Sequence, residues 1–328
     1  MITALNSQAT GRTLLPDDPR MKGVNTHVVY YGQDVQAPAV ATMAAAGVRT
    51  VRIDVNWGGH EPVTKGSYDA GRVANLDAFM LACAAADIDV LVVVTGCPPW
   101  ANGNQAINVP PTNSVDFADF CVYLVGRYPT MRALEVWNEP DLDYAWAVAT
   151  GTIAQRTTKY VSILAAAYPA IKAAAPKVKV LAPSLSGTGS ASWLGGFFDA
   201  GGKGKYDALS VHMYGDPPDH GDLTPGQLLR TWVSQIGVTL ATYGEGQREV
   251  WITEFGWNTA PAGVSEAVQA AYLTEFFSSA RSYIPNCSLI FWYQLFNQLE
   301  GSGVGNDNLG LTHQDFTPKL ALAAFTNL

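Results

Sequence analysis

The chain has 328 residues, and its 28 acidic side chains outnumber 20 basic ones for a net charge of −8. At 48% hydrophobic and 15% charged it is too apolar for a disordered chain. It has no run of Lys or Arg of the kind a nucleic-acid partner needs, and no stretch of about 18 unbroken apolar residues to span a membrane.

From the N-terminus, Met1 to Arg20 reads as an arm. It lacks an apolar core segment and holds Pro16-Asp17-Asp18-Pro19, so it is not expected to be a signal peptide. Residues 21–328 then read as a single catalytic domain. Strand-like runs are predicted at Lys22–Val28, Thr50–Asn56, Val90–Thr95, Ala133–Asn138, Lys179–Pro183, Ala208–Tyr214, Glu249–Glu254 and Leu289–Tyr293. Several are continuous apolar runs such as Val90-Leu91-Val92-Val93-Val94, the pattern of strands buried on both faces of a parallel sheet.

Helices are predicted between them, at Ala37–Ala46, Val73–Ala86, Val115–Tyr128, Gln155–Ala175, Ala191–Ala200, Pro225–Tyr243, Ser265–Tyr283 and Pro318–Phe325. In the Gln155 helix, Tyr160, Leu164, Tyr168 and Ile171 recur on one face before Pro176 ends it. Strict alternation of eight strands and eight helices predicts an α/β fold of the (β/α)8, TIM-barrel type. An open doubly wound sheet is the rival, but the first strand leads to Asn25-Thr26-His27 and not to a glycine-rich phosphate loop.

In such a barrel the active site lies at the C-terminal strand ends. Those ends carry His27, then Arg52, Asp54, Asn56 and Trp57, then Pro98-Pro99-Trp100, then Trp137-Asn138-Glu139-Pro140. Later ends carry His212-Met213-Tyr214, Thr253-Glu254-Phe255-Gly256-Trp257 and Trp292. Glu139 and Glu254 each follow a strand that looks buried, where a carboxylate is costly unless paired. Strands four and seven face each other across the barrel, so both groups would reach one cleft. Two carboxyls flanking a cleft are what glycosidic bond cleavage requires.

At these residues the sequence resembles clan A glycoside hydrolases. The carrying segments are Leu134-Glu135-Val136-Trp137-Asn138-Glu139-Pro140 and, 115 residues on from Glu139 to Glu254, Val250-Trp251-Ile252-Thr253-Glu254-Phe255-Gly256-Trp257. Gly23-Val24-Asn25-Thr26-His27, Pro98-Pro99-Trp100-Ala101 and Val211-His212-Met213-Tyr214 look most similar to the family 39-like group, which includes β-xylosidases and bacterial exopolysaccharide hydrolases. Family 5-like enzymes share several of these features.

The resemblance implies a retaining enzyme with Glu139 as acid/base and Glu254 as nucleophile. It implies that Asn138 holds the sugar 2-hydroxyl, that Tyr214 and Arg52 support the nucleophile, that His212 lines the glycone subsite and that Trp292 forms its platform. His27, Trp57, Trp100 and Trp257 are candidate substrate-binding residues, since aromatic faces pack on sugar rings.

Trp193 and Trp232 read as core. Cys83, Cys97, Cys121 and Cys287 have neither zinc nor redox spacing and read as buried thiols, with a Cys83–Cys121 bridge as the other option. His27 and His212 find no third His or Cys, so no metal and no cofactor is expected. Glu61, Asp141, Asp143 and Glu300 fall in predicted loops and either shape distal subsites or are solvated. Asn306-Asp307-Asn308 reads as a polar turn, and the run from Gly301 to Gly305 as a mobile rim loop. The expected partner is a carbohydrate substrate, not nucleic acid, and the substrate class places the protein outside the cell or in its envelope. A non-catalytic glycan-binding barrel is the alternative.

Overall fold

The computed structural model describes residues 22–148, 151–214, 223–300 and 305–328. The arm expected over 1–20 and most of the Gly-rich rim segment lie outside the described residues.

Eight strands run in parallel: β1 (Lys22–Asn25), β2 (Thr50–Asn56), β3 (Asp89–Thr95), β4 (Met131–Val136), β5 (Lys179–Leu181), β6 (Leu209–Met213), β7 (Val250–Phe255) and β8 (Cys287–Trp292). Their order is β5-β4-β3-β2-β1-β8-β7-β6. Parallel bridges at Leu181–Ala208 and Leu185–Val211 join β5 to β6 and close the barrel. The (β/α)8 expectation is therefore met.

The apolar runs behave as their composition demands: all five residues from Val90 to Val94 are buried. One parity faces the helices. The other fills the barrel floor with Leu91, Ala133, Leu181, Ala208, Trp251, Leu289 and Phe291. Gly23 on β1 makes room for this layer, since a Cβ there would stand 2.4 Å from the Phe291 ring.

Helices at Gln33–Ala45, Ala70–Ala85, Ser114–Arg127, Ile153–Ala174, Ala191–Asp199, Pro225–Trp232, Glu266–Tyr283 and Leu320–Thr326 surround the barrel. Their starts follow capping chemistry. Asp69, Asn113, Thr152 and Ser265 each accept a first-turn N–H, and Thr152 with Gln155 forms a reciprocal capping box.

Several predicted elements differ. Strand β1 ends at Asn25 and not at Val28, where a 3-10 turn over Val28–Tyr30 begins, and β4 ends at Val136 and not at Asn138. The single helix expected over Pro225–Tyr243 is interrupted by a π turn at Val233–Gly237 before resuming at Val238–Thr242. Thr231, Ser234 and Thr239 hydroxyls there donate to carbonyls three or four residues back and compete with the regular ladder. Strand β5 stops at Leu181 and does not extend to Pro183, which has no N–H for the ladder.

All four cysteines are free and buried, with no Cys83–Cys121 bridge. Trp193 and Trp232 are core residues, 3% and 4% exposed. Among the described residues, no helix is long and apolar enough to cross a membrane.

Candidate active site

Strand parity decides which side chains reach the cleft. On β2 the inward positions are Arg52, Asp54 and Asn56, alternating with Val51, Ile53 and Val55 in the outer core. On β7 the pairing registers shift between Ile252 and Phe255 on one side and between Val211 and His212 on the other. This irregularity lets consecutive Thr253 and Glu254 both reach inward groups. After β4 the chain turns through Trp137 and Glu139 with φ of +63° and +48°, a costly region for residues with a Cβ. The turn buries the Trp137 indole, whose N–H donates to Ala145 O, and sends Asn138 and Glu139 over the barrel mouth.

Arg52 organises the floor of the cleft. Its Nε donates to Glu135 Oε2 at 2.6 Å, and Nη1 to Asn25 Oδ1 at 3.0 Å and to Glu254 Oε1 at 2.6 Å. Its Nη2 donates to Asn138 Oδ1 at 2.8 Å. The guanidinium is 2% exposed, so these acceptors replace water. With Oδ1 held, the Asn138 amide presents its NH2 to the cleft.

Glu254 Oε2 accepts from the Tyr214 hydroxyl at 3.1 Å. His212 lies between the two acids: Nδ1 is 2.7 Å from Glu139 Oε1, and Nε2 is 3.1 Å from Ser184 Oγ and 3.4 Å from Glu254 Oε1. His27 Nδ1 pairs with Asp54 Oδ2 at 2.5 Å, and its Nε2 lies 2.9 Å from Tyr293 Oη.

Charge follows from this packing. Burial pushes the Glu254 carboxyl above the usual glutamate range; His212 and Arg52 pull it down, while Glu139 and Asp54 add to the push. Burial alone would lower His212, but the charge of Glu254 and the contact with Glu139 outweigh it and raise its pKa. The ring bridges the two acidic side chains. Asp54 raises His27 against its burial in the same way, and His27 lowers Asp54 against its burial. Burial, then the Glu254 charge, holds Tyr214 well above its ordinary value, so the phenol stays protonated as a donor.

The expected supporting residues Asn138, Arg52, Tyr214 and His212 thus meet Glu139 and Glu254 in one cluster, and His27 stands beside it. The tryptophans do not. Trp57, Trp257 and Trp292 are fully buried, and their indole N–H groups donate to Glu61 Oε2, Leu223 O and Leu309 O. They back the cleft without facing it, which corrects their placement as sugar-facing walls. The cause is parity: Leu289 and Phe291 fill the barrel floor, so Trp292 points outward and the partly exposed Tyr293 points inward. Trp57 follows inward Asn56 for the same reason. Trp100 stays partly exposed, edge-on to Trp57 at 5.7 Å.

Sequence reasoning missed four contributors: Tyr293, Asp54 as the partner of His27, Glu135 as the second acid on Arg52, and Tyr144. Tyr144 is 73% exposed on the β4 loop and within hydrogen-bonding reach of Glu139. The loop acids have structural partners. Glu61 holds Trp57 and the Gly66 N–H, Asp141 holds Ser186 and Ser190, Asp143 pairs with Arg156, and Glu300 pairs with His313.

The three groups Glu139, His212 and Glu254 bring ligand atoms within 4.8 Å of one another, spacing that could hold a metal ion. The sequence search missed this set because it counted only His and Cys as the third ligand. The electrostatics oppose a divalent ion there, since the Arg52 guanidinium already sits 2.6 Å from Glu254 Oε1.

A closed (β/α)8 barrel with one glutamate just beyond β4 and its partner near the end of β7 defines a glycoside hydrolase scaffold. Residues 8–294 match the family model described as cellulase, glycosyl hydrolase family 5, and the chain belongs to that family, within clan A. No curated protein matches the sequence.

Among solved structures it is similar to a family 39 glycoside hydrolase from Bacteroides cellulosilyticus WH2, at 26% identity and TM-score 0.73, covering 94% of this chain and 63% of that one. This chain therefore spans less than two thirds of that relative. A monomeric beta-xylosidase from Caulobacter crescentus CB15 is similar at 19% identity and TM-score 0.69, covering 94% and 67%. A GH5 subfamily 18 protein from Streptomyces cattleya, solved in complex with Manb1-4GlcNAc, is similar at 18% identity and TM-score 0.73, covering 94% and 79%. The family 39-like features of the sequence and the family 5 membership meet in these neighbours.

Proposed function

We propose that the protein is a retaining β-glycoside hydrolase acting on an oligo- or polysaccharide by double displacement. One observation carries the reading: the nearest ligand atoms of Glu139 and Glu254 lie within 4.8 Å. Carboxyls about 5–5.5 Å apart suit direct nucleophilic attack, whereas inverting enzymes leave about 6.5–9.5 Å for a water between them.

A Glu254 oxygen attacks the anomeric carbon as the bond to the leaving oxygen breaks, and the Glu139 proton passes to that oxygen. Glu139, now a carboxylate, takes a proton from water. The water oxygen then attacks the anomeric carbon and releases Glu254. Arg52 and Tyr214 hold Glu254 ionised and aimed. His212 positions Glu139, and Asn138 meets the 2-hydroxyl, a contact that strengthens in the transition state. His27 and Tyr293 line the glycone side, and Trp100 and Tyr144 stand at the rim. The polymeric substrate class places this work outside the cell or in its envelope.

The test is a panel of 4-nitrophenyl β-glycosides followed by trapping with 2-deoxy-2-fluoro glycosyl fluorides. A glycosyl adduct on Glu254, seen by peptide mass, is the expected result. An intact protein that binds glycans but hydrolyses none over long incubation overturns the reading in favour of a binding barrel.

A further inference from the structure

Ser184, just past the end of β5, is buried beside the catalytic cluster and has no part in the mechanism above. Its backbone is clamped against β6. Leu185 bridges Val211, Leu185 N donates to Ser210 O at 3.3 Å, and His212 N donates to Leu185 O at 2.7 Å. That register sets the Ser184 hydroxyl 3.1 Å from His212 Nε2. Asp141 ties the same segment, through Ser186 and Ser190, to the loop that carries Glu139. The serine and the acid therefore share one braced frame.

Ser184 and His212 are both 0% exposed, so bulk water cannot partner the ring. Nδ1 has Glu139 Oε1 at 2.7 Å. Nε2 has the Ser184 hydroxyl and, at 3.4 Å, Glu254 Oε1. A neutral imidazole has one N–H, and what faces the other nitrogen decides where it sits. Alone, the Glu254 carboxylate draws the proton to Nε2. Nδ1 is then a bare acceptor and takes the Glu139 proton onto Oε1, against the ring. A hydroxyl that donates to Nε2 reverses this. The ring proton stays on Nδ1 and fills Oε1, so the acid carries its own proton on Oε2, the oxygen free of the ring.

We propose that Ser184 is a positioning residue of the reaction: by donating to His212 Nε2 it keeps the ring proton on Nδ1 and the acid proton of Glu139 on its free oxygen. This rests on the hydrolase reading above. The proton that passes to the leaving oxygen comes from Glu139 Oε2, and Ser184 and His212 end the step as they began it. Once Glu254 is an ester its charge is gone, and the Glu139 carboxylate holds the proton on Nδ1 unaided. Ser184 thus matters for bond cleavage and little for the release of Glu254.

Glu139 beyond β4, Glu254 on β7, Arg52 and Asp54 on β2 and Tyr214 beyond β6 face the ring. Burial opposes its charge, but the two glutamates outweigh burial and raise its pKa. Below that pKa both nitrogens carry protons and Ser184 only accepts. Above it the choice of tautomer opens, so the effect of Ser184→Ala grows as pH rises.

The experiment reads the tautomer and the kinetics of Ser184→Ala and Ser184→Thr. Nitrogen-15 NMR of histidine-labelled protein is recorded above the titration of the ring, with His212→Gln to assign its signal among the five histidines. Wild type should show a protonated Nδ1 and Ser184→Ala a protonated Nε2. On alkyl β-glycosides, kcat/KM of Ser184→Ala should fall about 10–100-fold at alkaline pH and progressively less below the titration, a part of the roughly 10²–10⁴-fold that general acid catalysis supplies. On 4-nitrophenyl glycosides, whose leaving group needs little protonation, the fall should stay under about threefold. Ser184→Thr keeps the hydroxyl and should stay near wild type in both readouts.

The same tautomer in Ser184→Ala and wild type overturns the proposal. So does a loss that is equal on both substrates and flat with pH, which is what a packing defect gives. A Ser184→Thr protein with the wild-type denaturation midpoint that behaves like Ser184→Ala overturns it as well. The expected tautomers without turnover of any glycoside overturn the hydrolase reading and leave the Ser184–His212 link standing.

Discussion

Arg52 shows how much one buried residue can decide. It holds Glu135, Asn25, Glu254 and Asn138 at once, so Arg52→Met should strand two buried acids and cost about 3–5 kcal/mol by chemical denaturation. Glu139→Gln is expected to lower kcat about 10²–10⁴-fold, and less on substrates with acidic leaving groups; equal losses on both contradict an acid role. Because Glu254 has a raised pKa, its proton is held more tightly in the folded state than in the unfolded chain. Two consequences follow with fixed sign. The nucleophile is lost as pH falls through the raised value, so the acid limb of kcat/KM should lie above the ordinary 4.5. At neutral pH the ionised carboxylate weighs against the fold, so Glu254→Gln should abolish turnover yet raise the Tm, its amide oxygen still accepting from Arg52. The pair Glu139 and Glu254 was legible in the sequence because each stands at or just past the end of an apolar strand. Tyr293 was hidden beside Trp292 because aromatic character drew the reading to tryptophan, although the alternation set by Leu289 and Phe291 already pointed Trp292 away from the cleft.

Among elements, the β4 loop matters most, since it carries Glu139. Asp141 ties it to the segment after β5, accepting from the Ser186 backbone N–H at 3.0 Å, the Ser186 hydroxyl at 2.6 Å and the Ser190 hydroxyl. Asp141→Ala leaves these donors unsatisfied and should cost about 1–3 kcal/mol, read as a lowered denaturation midpoint. In β1, Gly23→Ala would press on Phe291 and should cost about 1–3 kcal/mol by the same measurement, with no change expected in the pH profile of the remaining activity. The strands were legible because their burial writes itself as apolar runs, and β2 begins and ends where the sequence predicts. The π turn at Val233–Gly237 was not, because hydroxyls bonding back to the backbone leave the apolar period of the helix almost intact.

The whole molecule was the easiest scale to read. Strict strand–helix alternation admits few architectures, and only a closed barrel brings residue 139 next to residue 254. Substrate choice was the hardest. It depends on which side chains the loops bring together over the strand ends, and His27, Asp54 and Tyr293 are far apart in sequence with nothing to link them until the barrel closes. The central claim is direct attack by Glu254 on an anomeric carbon. It is tested most directly by proton NMR of the first sugar released from a 4-nitrophenyl β-glycoside that the enzyme turns over, recorded before mutarotation. The account predicts the β-anomer first, with the α-anomer growing in later; an α-anomer appearing first would contradict it.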